Sequence, residues 1–165
     1  MVFDSLRALG SPSNFSQTYD NVFHLNLVQW MVQHRTGSVL ELTMTGNEAF
    51  YPAAWHDLAS LVLLILRQHD AMLATNALII VTMAVIWPFS CLTLVARALP
   101  LSRTGTLGTA VLLASFGAFP YWLIRFGVLY PNFLALCLLP AVIALEISLL
   151  DLGEGQRLPL LPTLL

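Results

Sequence analysis

The chain has 165 residues, of which 58% are hydrophobic and only 10% are charged, with a mean hydropathy of +0.78. A soluble domain carries roughly 25% charged residues, so this composition indicates a membrane protein. The formal net charge of −2 and the lack of a basic run exclude nucleic acid as a partner.

The first part of the chain predicts a loop, a helix and a second loop. Residues 1–17 show no apolar core of a signal peptide and contain a turn-rich cluster of Gly, Ser, Pro and Asn. Ser16 or Thr18 can cap a helix that extends to about His34, and Gly37 suits its C-terminal end. We expect the polar region that follows residue 17 to need a membrane anchor ahead of it.

A second helix is predicted from Ala53 to about Arg67, because Pro52 suits the first helical position. Its apolar run, Leu58 to Leu66, is too short to cross a hydrocarbon core about 30 Å thick, which needs ~20 residues. We therefore expect this helix to lie in the membrane interface.

Three later segments predict membrane spans: Ala71–Val95, Leu107–Leu123 and Phe133–Leu150. Pro120 is expected to kink the end of the second span, and Pro140 lies inside the third, where a membrane helix tolerates it. The sequence thus predicts an all-α membrane protein, with outer-side juxtamembrane helices followed by about three transmembrane helices.

The arginines predict the orientation. Arg97 and Arg103 flank the loop between the first two spans, and Arg157 follows the third, so all three are expected on the cytoplasmic side. If the helix at 53–66 spans instead, this orientation inverts. The preferred topology has three regions of an integral plasma-membrane protein: an extracytoplasmic region at 1–70 with two interfacial helices, a helix bundle at 71–150, and a cytoplasmic tail at 151–165.

The stretch TYDNVFHLN contains the first candidate site. Asp20 and His24 share one face of the first helix, and they fall within its apolar arc, opposite a polar stripe of Asn26, Gln29 and Gln33. Ionisable groups on an apolar face usually have a partner or a function. Two interpretations stay open. Either Asp20 caps the helix start and pairs with His24, or Asp20 is a general base in a partly dry cleft and His24 orients it or binds a phosphate or metal.

Two further segments offer candidate substrate-binding residues. His56 and Asp57 lie in the first turn of the second helix, where anions are favoured. Arg125 and Asn132 are expected on the same side of the membrane, and Arg125 can contact a lipid phosphate. The simpler interpretations are solvation at the interface for His56 and Asp57, and an interfacial arginine that snorkels.

A metal site is a weaker interpretation of the same residues. Asp20, His24, His56 and Asp57 have ligand types that suit a hard divalent ion or zinc, so a divalent metal stays open while no cofactor is required. No zinc spacing or disulfide framework is present. The two cysteines, at positions 91 and 137, are interpreted as buried free thiols.

The order of these segments resembles the GT-C superfamily of membrane glycosyltransferases. In that family an outer loop carries an early acidic residue on a juxtamembrane helix, followed by an interfacial helix that opens with an aromatic-Pro motif and then by a multi-pass bundle. YDNVFHLN at 19–26 matches the acidic position, and FYPAAWH at 50–56 matches the aromatic-Pro position. With VIWPFSC at 85–91 and FGVLYPNFLALCLLPA at 126–141, the series looks closest to an actinobacterial branch of multi-pass membrane proteins.

This resemblance implies sugar transfer from a polyprenyl-phosphate-linked donor to an acceptor hydroxyl outside the cytoplasm. By position it implies Asp20 as the base, and Arg125 is our candidate for the positive group on the leaving phosphate. Some family members also bind a divalent metal. Family members have more spans and a membrane helix ahead of the outer loop, so we expect this chain to be a fragment or a reduced member.

Two other functions are consistent with the sequence. A non-catalytic membrane subunit, or assembly partner of a larger complex, would explain the small size and an outer region without its own anchor. A transporter or lipid-handling fragment would use an intramembrane acid, and Glu146 is the acid inside a predicted span. The expected partners are therefore membrane lipid, the sugar donor, and either another protein or the remainder of a larger chain.

Overall fold

The computed structural model describes residues 7, 10–15, 19–40, 50–99, 102–115, 119, 122–125 and 127–153, without the side chains of Ala114, Arg125 and residues 151–153. Its helices are α1 (Tyr19–His34), α2 (Ala54–Leu66), α3 (Ala71–Val81), α4 (Trp87–Ala98), α5 (Arg103–Ser115), α6 (Trp122–Arg125) and α7 (Tyr130–Gly153). A π-helical turn, Thr82–Ile86, joins α3 to α4. No strand occurs in these ranges, so the all-α class is confirmed.

The first two helices begin and end within one or two residues of their predicted bounds. The buried face of α1 repeats every three or four residues, as one side of a helix must. It consists of Asn21, His24, Leu27, Val28 and Met31. Helix α2 ends at Leu66 and is capped by Arg67, whose left-handed backbone (φ 52°) directs its N–H back to the carbonyls of the last turn.

Residues 71–98 form one long rod, and Pro88 explains the π turn inside it. A proline has no N–H and clashes with the carbonyl four residues earlier, so the preceding turn widens. The Trp87 N–H accordingly bonds the Thr82 carbonyl, five residues back. The extra residue in this turn keeps Ser90 on the same face of the rod as Thr82, and both side chains are buried.

The start of α3 is fixed by a cap and by the N-terminal segment. The Asp70 carboxylate accepts hydrogen bonds from the N–H groups of Met72 (2.9 Å) and Leu73 (3.1 Å). Asn76 Nδ2 donates to the carbonyls of Pro12 (2.7 Å) and Asn14 (3.0 Å). These bonds tie residues 10–15 to the first turns of the long rod.

Helices α4 and α7 run parallel. The Ala141 N–H donates to Ser90 Oγ (2.9 Å), and Arg97 Nε donates to Ser148 Oγ (3.0 Å). Both pairs are 51 residues apart, and a constant offset is possible only for parallel helices. The bond from Ala141 to Ser90 also gives a partner to the backbone N–H next to Pro140, a residue that bends the helix.

Because α4 and α7 are parallel, the connection between them must return along the whole bundle. It passes Trp87, whose ring contacts that of Phe119 (4.7 Å between centroids). It ends beside α1 and α2, where Leu123 and Ile124 pack against the core cluster that contains Val128. The chain therefore traverses the bundle three times between residues 71 and 153.

Two helices are long and apolar enough to cross a membrane: Ala71–Ala98 (28 residues, hydropathy 2.3) and Tyr130–Leu150 (21 residues, hydropathy 2.5). Only 33% and 28% of these windows are buried inside the protein, whereas a core helix of a soluble protein is mostly buried. The predicted span Leu107–Leu123 does not form one long helix. Helix α5 has 13 residues and ends at Ser115, about 20 Å at 1.5 Å per residue, and Phe119 lies in a turn.

The parallel packing can be tested by cross-linking. In a chain in which Cys91 and Cys137 are replaced by alanine, we expect Ser90→Cys with Ala141→Cys to react with a short bis-maleimide. A protease site inserted between residues 99 and 102 separates the two cysteines along the chain. After cleavage, the two fragments of a cross-linked protein should still migrate together on a denaturing gel. Ser90→Cys with Ser148→Cys is the matched control, because seven residues displace its partner by about 10 Å along the helix. Linkage of the control pair alone would contradict the parallel register.

Candidate functional site

A cleft of about 700 Å³ opens between α1, the segment before α2 and the start of α7. Its apolar and aromatic wall consists of Tyr19, Val22, Phe23, Tyr51, Pro52, Leu129 and Pro131, and its polar groups are Asp20, His24, Asn26 and Asn132. Three of the residues singled out from the sequence, Asp20, His24 and Asn132, thus line the same cleft. More than 100 residues separate Asn132 from the other two.

A buried contact between α1 and the start of α7 builds this cleft. Tyr130 Oη donates to Asn21 Oδ1 (3.0 Å), and both side chains are buried. The Tyr130 ring also stacks on Trp55 of α2, with 5.0 Å between centroids and 16° between planes. One tyrosine therefore holds three elements in register, and Asp20 and His24 flank the residue it binds.

A hydrogen-bonded pair of histidines lies behind the cleft wall. His24 Nδ1 and His56 Nε2 are 2.9 Å apart, and the side chains are only 4% and 0% exposed. The rings are offset-stacked, with 5.1 Å between centroids. No spacing in the sequence indicates this pair, because 32 residues separate its members and each lies in a different helix.

Aromatic rings surround the pair. The centroid of Tyr130 lies 5.0 Å from that of His24, and Tyr51 and Phe23 lie 5.6 Å and 6.4 Å from His56. These rings leave little room for water, so neither imidazole is readily charged.

Burial lowers the pKa of both histidines. For His56 burial is the main cause, His24 adds to it, the backbone of Ala53 opposes it, and the pKa is lowered to about 3. For His24 burial also dominates and lowers the pKa, while the charge of Asp20 and the backbone of Val128 oppose it. The pair is therefore neutral at pH 7.

Asp20 lies at the mouth of the cleft and is exposed, in the first turn of α1. No ion pair joins it to His24 in the described structure, since His24 bonds His56 instead. This differs from the expected partly dry carboxylate, because the buried face of α1 includes His24 but leaves Asp20 outside. The carboxylate does act on its neighbours: burial raises the pKa of the Tyr51 hydroxyl, and the charge of Asp20 raises it further.

His56 and Asp57, also singled out from the sequence, do not line the cleft wall. His56 is fully buried behind His24. Asp57 points away from the cleft: a Cβ on Gly37 would lie 2.7 Å from its Oδ1. That oxygen is buried without a hydrogen-bond partner among the described residues, and burial raises the pKa of Asp57. The backbone of Arg125 ends α6, and its side chain lies outside the described structure.

The candidate metal ligands are not brought together. Within the described ranges, no group of three or more His, Cys, Asp or Glu side chains has the spacing of a metal site. His24 and His56 use nitrogens on each other, and Asp57 faces Gly37.

The backbone next to the cleft is strained. Val128 is fully buried and has a positive φ of 47°, which a β-branched residue rarely adopts. Gly127 before it also has a positive φ (78°), and a Cβ at that position would lie 3.9 Å from Asp20 Oδ2. Such conformations cost about 1–3 kcal/mol and concentrate at functional sites. In the sequence only Gly127 marks this turn.

A family model described as "Family of unknown function (DUF6541)" matches residues 1–165. The chain belongs to this family. No curated protein and no solved structure matches the chain significantly. Functional inference for this DUF6541 member therefore rests on the chemistry of its cleft.

The histidine pair makes the stability of this DUF6541 chain depend on pH. The pKa of His56 is about 3 when folded and about 6.5 when unfolded, so between these values the unfolded state binds more protons. The free energy of unfolding should therefore fall as the pH decreases, by about 2 kcal/mol from pH 7 to pH 5 through this group. Thermal unfolding in detergent at the two pH values measures the change.

Two variants isolate this contribution. His56→Gln cannot titrate, so it should lose less stability than the wild type between pH 7 and pH 5. His69→Gln replaces an exposed histidine and should keep the wild-type dependence. Equal losses in the wild type and His56→Gln would show that His56 does not govern the effect.

Proposed function

We propose that this chain forms the outer-side cleft of a GT-C-type membrane glycosyltransferase. In this proposal, a sugar is transferred from a polyprenyl-phosphate-linked donor to an acceptor hydroxyl outside the cytoplasm. The observation that carries the proposal is the convergence of Asp20, His24 and Asn132 on one cleft beside a helix of membrane length.

Asp20 is the proposed general base. Its exposed carboxylate is open to an acceptor hydroxyl that enters the cleft. As Asp20 takes the hydroxyl proton, the acceptor oxygen bonds the anomeric carbon of the donor sugar. The bond from that carbon to the phosphate oxygen breaks, and the phosphate leaves with the electron pair. Base catalysis of this kind contributes about 10²–10⁴-fold.

The size and lining of the cleft support a sugar-lipid substrate. Ligand pockets typically measure about 300–1,000 Å³ and combine an apolar wall with a few polar groups that fix orientation. Asn26 and Asn132 supply amide groups for sugar hydroxyls, and Tyr51 and Phe23 supply aromatic faces. Leu129 belongs to the apolar part of the wall, where a prenyl chain would lie. Arg125 is the proposed contact of the leaving phosphate.

The membrane setting is part of the proposal. The two membrane-length helices expose large apolar side chains, for example Val85, Phe89 and Leu149, which lipid would cover. The cleft lies at the opposite end of the bundle from Arg97, because Tyr130 begins α7 and Ser148, near its end, bonds Arg97. A cytoplasmic Arg97 would therefore place the cleft outside the cytoplasm.

An assembly partner of a larger complex is the second candidate. Helix α5 is short and exposes Leu107, Val111 and Leu112, a face with helical spacing that another protein could cover. The transporter hypothesis has less support, because Glu146 is exposed on α7 and does not face the interior of the described bundle.

The base can be tested by replacing Asp20 in the longest native chain. Asp20→Asn should lower the transfer of labelled sugar from a polyprenyl-phosphate donor in native membranes by about 100-fold or more, because the amide cannot accept the proton. Asp57→Asn is the matched control, since Asp57 faces away from the cleft, and it should retain wild-type transfer. Undiminished turnover of Asp20→Asn would reject the assigned base. Retained activity together with a stoichiometric co-purifying protein would favour the assembly partner.

A further inference from the structure

We infer that His56 is a positioning residue: its hydrogen bond to His24 fixes the ring and the tautomer of His24 and keeps the neighbouring Asp20 free to act as a base. The inference rests on the proposed function, because it assigns Asp20 that role. It gives His56 a different role from the substrate contact expected from the sequence.

The location of His56 excludes direct contact with a ligand in the cleft. Its side chain is fully buried and does not form part of the cleft wall. His24 lines that wall, and the 2.9 Å bond between its Nδ1 and His56 Nε2 connects the two layers. His56 can therefore act on a bound substrate only through residues of the wall, and its hydrogen bond to that wall is the one to His24.

The hydrogen bond couples the protonation of the two rings. Each neutral imidazole has one N–H and one acceptor nitrogen. A single proton therefore lies between His24 Nδ1 and His56 Nε2, which are 2.9 Å apart. The pair adopts only tautomers in which one ring donates and the other accepts.

The hydrogen-bonded, neutral state of His24 matters to Asp20, one helical turn away. A His24 that gained a second proton would be a cation beside a carboxylate, and the two would form an ion pair. The lone pairs of Asp20 would then be engaged. The bond to His56 engages His24 Nδ1 inside the buried pair, so this nitrogen is not open to pair with the carboxylate. The other titratable groups packed against the pair in the described ranges are Tyr51 and Tyr130, which are neutral at pH 7.

The first test reads the tautomer directly and needs no catalytic activity. Long-range ¹⁵N–¹H correlation spectra of the full chain, labelled at histidine nitrogens and held in nanodiscs, should show His24 as a single neutral tautomer at pH 7. His56→Leu should convert His24 to a mixture of protonation states. His56→Gln should restore the wild-type pattern, because its amide can bond Nδ1 as donor or acceptor. An unchanged His24 spectrum in His56→Leu would overturn the inference.

Leu63→Ala is the control for a merely structural role. Leu63 is buried on the same helix, two turns from His56. This variant therefore weakens packing without removing the hydrogen bond between His56 and His24. It should leave the His24 spectrum unchanged. If Leu63→Ala alters the spectrum as much as His56→Leu, or if His56→Gln fails to restore it, His56 is not a positioning residue.

The second test follows sugar transfer. His56→Leu should lower kcat by about ten- to hundredfold with little change in KM, because substrate binding is intact while the base is misplaced. The acidic limb of its pH–rate profile should also move, and His56→Gln should recover both. A loss confined to KM would contradict the inference. If the wild type transfers no sugar while the spectra behave as expected, the proposed function fails and the arrangement of the histidine pair stands.

Discussion

The cleft depends on the buried contact that Tyr130 makes with two helices far from it in sequence. Its hydroxyl bonds Asn21 on α1, and its ring stacks on Trp55 of α2. Asn21 lies between the two site residues of α1, Asp20 and His24, and Trp55 precedes His56. Fixing Tyr130 therefore fixes the carboxylate, the first histidine and the second histidine together. A buried hydroxyl and a buried amide without each other would each lose about 1–3 kcal/mol, which makes this register strongly preferred.

The helix bundle below the cleft is shaped by two prolines and by the groups that compensate for them. Pro88 widens the turn before it into a π turn, which keeps Ser90 facing α7. Ser90 then accepts the N–H that follows Pro140. In an apolar surrounding each backbone polar group needs such a partner. The prolines thus fix the parallel register of α4 and α7, and that register brings the start of α7 back to α1 and α2.

Local patterns in the sequence predicted the helices but not the long-range contacts between them. The bounds of α1 and α2 lie within one or two residues of the predicted ones, although Pro52 precedes the N-cap Ala53 and no side chain caps α2. The predicted caps of α1, Ser16 and Thr18, lie outside the described residues. The two long apolar helices follow from hydropathy. The span at 107–123 was overestimated, because hydropathy alone does not locate the end of a helix: α5 ends at Ser115, and Phe119 lies in a turn. Asp20 and His24 were recognised from their helical spacing, yet their separation into an exposed and a buried group depends on which face α7 covers. The bond from His24 to His56, and the turn of Asp57 toward Gly37, depend on packing between helices that no local pattern encodes.

Two unfavourable features lie beside the cleft. Val128 holds a strained backbone, and the Nδ1 of His56 is buried without a partner in the described structure. His56 bonds His24, and Val128 directly precedes Leu129, which lines the cleft. A packing core alone would favour leucine over an imidazole whose second nitrogen is unsatisfied. These unfavourable features are expected if the orientation of His24 matters for the cleft. Strain and an unpaired buried atom persist only where the surrounding packing enforces them. The orientation of His24 in the wall of the cleft therefore depends on His56, which is buried behind that wall.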